Sequence, residues 1–62
     1  MTYFCFVETE TSKVPHMEPM AVDNLMAARV MARQIARSHR RPVAAHIFHQ
    51  DERVDTVLFD DD

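Results

Sequence analysis

Apolar positions along this chain change period twice. Residues 2–8, TYFCFVE, are dense in aromatic and β-branched side chains over a strand-length run. Residues 9–19 are polar and hold two prolines, which predicts a loop. From residue 21 the spacing becomes helical: Ala21, Leu25, Ala28, Ala32, Ile35 and Ala36 share one side, with Met31 at its edge. Asp23 is the expected N-cap with Val22 as a staple on Ala27, although Pro19 would also suit a helix start. Pro42 disfavours helical geometry at Arg41, so the helix is expected to end by Arg40. Period two returns in PVAAHIFH, 42–49, and in VDTVLF, 54–59, around the polar stretch QDER. The predicted order is β-α-β-β, an α+β fold with one helix on a three-stranded mixed sheet. The first crossover would be right-handed if the strands it joins are parallel.

Neither sheet face alternates to polar residues as a solvated face should. A type I turn centred on Asp51 and Glu52 would pair Ile47 with Thr56 and Ala45 with Leu58. The large Phe4, Phe6, Phe48 and Phe59 then suit the alanine-rich helix, because large fits small. That arrangement leaves Tyr3, Cys5, Val7, Val43, Ala45, Ile47 and Leu58 uncovered. An exposed apolar patch of this kind marks an interface, and a homodimer through those seven residues is expected. Coverage by the loop at 9–20, through Val14, Met17 and Met20, is the competing arrangement, and an obligate foreign partner is a third.

Composition reinforces the need for a partner. Sixty-two residues form one domain, 1–62, with the acidic tail 60–62 expected to fray. A chain this short buries only about 60% of its unfolded surface. One cysteine rules out an internal disulfide. With 47% apolar residues the chain is not disordered by composition. No run approaches the ~20 apolar residues of a membrane span, and the N-terminus lacks signal-peptide features. A soluble cytoplasmic protein is the expectation. Glycine is absent, which excludes glycine-rich phosphate loops, dinucleotide fingerprints and nucleophile elbows.

Charge is segregated. Residues 1–27 sum to −3, residues 28–50 to +5 through five arginines, and residues 51–62 to −5. Arg29, Arg33 and Arg37 recur at i, i+4, i+8, with Arg40 near the stripe and Met26 and Val30 beside it. Arginine forks with interleaved apolar side chains suit a protein-docking surface, and these six residues are the candidate partner site. The same stripe also fits a solvated helix face. Nucleic acid is the alternative partner, through Arg29, Arg33, Arg37, Arg40 and Arg41, but the net charge of −3 and pI near 5.7 count against it. His46 and His49, three apart on a strand, point to opposite faces, so no metal is expected. Cys5, amid apolar neighbours, is expected to be inert. With no nucleophile–base pair, catalytic residues, cofactors and a small-molecule substrate are not expected.

In size and element order the chain is similar to small proteins of phages and mobile elements, anti-CRISPR inhibitors among them, and to short bacterial accessory domains. The resemblance implies a regulator that works by binding another protein stoichiometrically. It carries no residue-level motif, so no site is transferred through it.

Overall fold

The computed structural model describes residues 2–11 and 16–59. The fold is α+β: one helix on one face of an open, four-stranded antiparallel sheet. In chain order the elements are β1 (Tyr3–Thr9), β2 (His16–Met20), α1 (Leu25–Arg37), β3 (Pro42–His49) and β4 (Glu52–Leu58). The sheet order is β2-β1-β3-β4. The expected β-α-β-β order on a mixed three-stranded sheet is therefore corrected to β-β-α-β-β with every pair antiparallel.

The added strand is β2, within the stretch expected to be a loop. It pairs with β1 from Tyr3↔Met20 to Val7↔His16. Pro19 is accommodated because β2 is an edge strand, and one side of its backbone has no ladder to join. Residues 12–15, and with them Val14 of the proposed loop cover, lie outside the described residues, as does the tail 60–62.

The helix begins one residue later than expected. Asn24, extended at φ −152°, ψ 163°, is the N-cap, and its Oδ1 accepts the Ala27 amide at 2.8 Å. Asp23 takes a supporting place: its carboxylate accepts the Asn24 side-chain amide at 3.0 Å, which leaves the Asn24 carbonyl oxygen facing the helix. Ser38 closes the C-terminus with its hydroxyl on the Ile35 carbonyl at 2.6 Å. Arg41, which precedes Pro42, leaves the helical region at φ 54°.

Ala28, Ala32 and Ala36, spaced by four, are fully buried against the sheet, chiefly over β3. Their methyl-sized side chains bring the helix close to Cys5, Val7, Ala45, Ile47 and Val57. Met20 from the edge strand is buried in the same core, with Tyr3, Val22, Met31, Ile35 and Phe59 around it.

This overturns the expected choice of face. The helix covers the side of Tyr3, Cys5, Val7, Ala45 and Ile47, and the phenylalanines Phe4, Phe6 and Phe48 occupy the other side. The β3–β4 hairpin also departs from expectation. Gln50 and Asp51, at φ 57° and 63°, form a two-residue turn of the I′ kind, where a type I turn one residue later was expected. Val54 is an extra residue in β4, between the pairs Ile47↔Asp55 and Phe48↔Arg53. The observed pairs Ala45↔Val57 and Ala44↔Leu58 are one residue off the expected register, and such a slip moves a strand's side chains to the opposite face. Because β1 and β3 turn their other face to the helix, the two changes cancel in β4: Phe59 packs with the core and Leu58 turns outward, as expected.

Candidate functional site

Two surfaces stand out. The first is the solvent side of α1, whose alanine stripe fixes the opposite side inward. Leu25, Met26, Arg29, Val30 and Arg33 line a shallow groove of about 540 Å³ between neighbouring side-chain rows. Met26 is 76% and Val30 57% exposed, which is unusual for apolar residues on a helix that already has a buried side. The groove combines two apolar contacts with two guanidinium groups.

The sequence-derived partner residues divide here. Arg29 reaches across to Asp55 on β4 and forms an ion pair with its carboxylate. Arg29 therefore helps fasten the helix to the sheet. Arg33 and Arg37 are exposed and have no ion-pair partner among the described residues. Arg40 falls in the turn after the helix, off the stripe proper. Met26 and Val30 stand where the sequence placed them, beside the arginines.

The second surface is the sheet face that has no helix. The register places Met17, Phe6, His46 and Thr56 in one row across the four strands, and Pro19, Phe4, Phe48 and Arg53 in the next. Glu8, Ala44 and Leu58 make a third row. Phe6 and Phe48 touch with ring centroids 6.0 Å apart, and Phe6 meets the His46 ring edge-on at 6.3 Å. His46 is held from both sides: Nδ1 lies 3.1 Å from the Thr56 hydroxyl and Nε2 3.1 Å from a Glu8 carboxylate oxygen. Leu58 at 78% and Met17 at 53% exposure extend the apolar surface outward.

The seven residues expected at a dimer interface do not form one surface. Cys5, Val7, Ala45 and Ile47 are buried beneath the helix, and Tyr3 sits at the rim of that core. Val43 is partly buried, its carbonyl accepting the Phe59 amide. Leu58 alone reaches the open side, beside Ala44. In β4, Phe59 joins the helix-covered side and Leu58 the uncovered one, as expected; it is the β1 and β3 residues that exchange sides.

The cysteine and the other histidines lie apart from these two surfaces or serve their packing. Burial, with a smaller contribution from Glu18 opposite it, pushes the Cys5 thiol up to about 11. His46 and His49 do occupy opposite faces, His49 stacking on Tyr3 at 4.2 Å. His16 meets the His39 ring at 4.9 Å and Glu18 at 3.0 Å. Among the described residues no group of three His, Cys, Asp or Glu side chains is arranged to hold a metal ion. No described helix is long and apolar enough to cross a membrane.

No family model matches the chain, and none of the curated proteins or solved structures compared with it is similar. The fold and its surfaces therefore define a class by geometry alone: a two-layer α+β domain with a mixed apolar and cationic helix groove on one side. An aromatic sheet face lies on the other.

Proposed function

We propose that the protein is a small, non-enzymatic binding module that engages another protein stoichiometrically through the outer side of α1. The observation that carries this reading is the groove at Leu25, Met26, Arg29, Val30 and Arg33, where exposed apolar side chains sit beside arginine. Such a surface suits a partner with an apolar ridge flanked by carboxylates: Met26 and Val30 would lose water on contact, and the Arg33 and Arg37 forks would bind the acids. Arg29, tied to Asp55, would serve as a fixed wall of the groove. In this role the chain would act as a regulator or inhibitor by occupying its partner's surface.

Nucleic acid is the weaker occupant. The arginine stripe is the feature that favours it, but Arg29 is already paired and the whole chain is acidic.

The test uses a photocrosslinker at position 30 to capture the partner, followed by titration of the purified pair. The expected result is a one-to-one complex that Met26→Lys with Val30→Lys weakens about 30-fold or more, the scale of an interface hot spot. Arg33→Glu with Arg37→Glu should weaken it as well. Unchanged affinity in both variants overturns the reading. Binding to duplex or single-stranded DNA that collapses steeply with salt would assign the stripe to nucleic acid.

A further inference from the structure

We infer that the open sheet face is a self-association surface, and that its occupant is a second copy of this chain packed sheet against sheet. The inference is independent of the helix groove and rests on the distribution of charge. Within the described strands, the charged side chains registered on this face are Glu8 and Arg53. They lie at opposite corners. Glu8 is opposite Ala44, two residues before His46 on the β1 side of β3. Arg53 is opposite Phe48, two residues after His46 on the β4 side. The two charges are thus related by a diagonal centred on His46.

Face-to-face packing of identical sheets places the two-fold axis in the plane between them. An axis over His46, perpendicular to the Glu8–Arg53 diagonal, exchanges the two corners. Glu8 of each copy, which within its own chain lies 3.1 Å from His46 Nε2, then faces Arg53 of the other, giving two equivalent ion pairs around a centre made by His46 and flanked by Phe6 and Phe48. With about 4.8 Å between strands and about 3.4 Å per residue, the same operation lays Phe48 of one copy over Phe6 of the other. The strands cross at roughly 70°, within the orthogonal class of sheet packing.

The charge pattern favours this occupant over others. The molecule measures 31 × 21 × 16 Å. Crossed at that angle, two faces 21 Å wide share a footprint on the order of 450 Å², the scale of a small interface beside the ~800 Å² per partner of a standard one. A single-stranded nucleic acid would find aromatic rings to stack on, but Arg53 is balanced by Glu8 and the helix arginines lie on the far side of the sheet. A self-paired dimer would carry its two helix grooves on opposite outer surfaces, making the module bivalent.

Sedimentation equilibrium of the full chain, with far-UV circular dichroism as the folding control, tests the inference. Wild type is expected to be dimeric at micromolar concentration. Glu8→Arg and Arg53→Glu should each weaken the dimer at least tenfold, and the double exchange E8R/R53E should restore it to within a few-fold. Phe48→Lys should give a folded monomer. A wild-type chain that stays monomeric at millimolar concentration overturns the inference. So does an E8R/R53E protein in which the two losses add, or wild-type association unaffected by Phe48→Lys.

Discussion

At the scale of single residues, the absence of glycine decides where the backbone is strained. The β3–β4 turn needs positive φ at both central positions, and Gln50 and Asp51 supply it without glycine. A non-glycine residue in that region carries an intrinsic cost of about 1–3 kcal/mol, less for Asp than for most. Asp51→Gly is therefore expected to raise stability by about 1 kcal/mol, read as a higher midpoint in urea with an unchanged slope. A fall in stability would mean that the Asp51 side chain supports the turn. This turn was illegible in the sequence for a definite reason: without glycine or asparagine to mark positive φ, QDER fits a type I turn one residue later equally well. The N-cap shows the same kind of ambiguity. Asp23 and Asn24 are both good caps, and the choice between them depends on the amide that Asn24 donates to Asp23.

At the scale of elements, the helix was the most legible part. Alanines at 28, 32 and 36 specify one buried stripe, and the structure buries those three. The stripe also sets the spacing between the layers. Ala32→Leu would force three additional carbons into that contact and is expected to destabilise the fold by about 1–3 kcal/mol. Arg33→Leu, on the exposed side, serves as the control and should stay within about 0.5 kcal/mol of wild type by chemical denaturation. Equal effects of the two substitutions would contradict the buried stripe. Strand β2 was hidden because Pro15 and Pro19 mark a loop locally, whereas its strand character comes from pairing at the edge of β1. The Val54 bulge was hidden because no residue type announces it, and β4 reads as a plausible strand in either register.

At the scale of the whole molecule, the two apolar sheet faces and the single helix were legible, but which face the helix takes was not. Matching large side chains to small placed the phenylalanines under the alanines. The chain does the reverse: close approach of α1 is met by Cys5, Val7, Ala45 and Ile47, while the larger Met20, Met31, Ile35 and Phe59 help enclose that contact. Phe4, Phe6 and Phe48, with Met17 and Leu58, are left on the opposite side, the apolar surface on which the proposed second copy would pack. The helix groove was partly legible, since the period of four displayed Met26, Val30 and the arginines together. The Arg29–Asp55 pair was not, because it depends on the β4 register.

The central claim is that α1 shields the Cys5–Ile47 side and the phenylalanine side meets a second copy. Its most direct measurement is an isotope-filtered nuclear Overhauser experiment on a mixture of labelled and unlabelled chains. The account predicts intermolecular contacts from the rings of Phe6 and Phe48, and only intramolecular contacts between the Ala32 methyl and Ile47. Intermolecular contacts at Cys5 and Ile47, or Phe48 ring protons close to Ala32 within one chain, would contradict it.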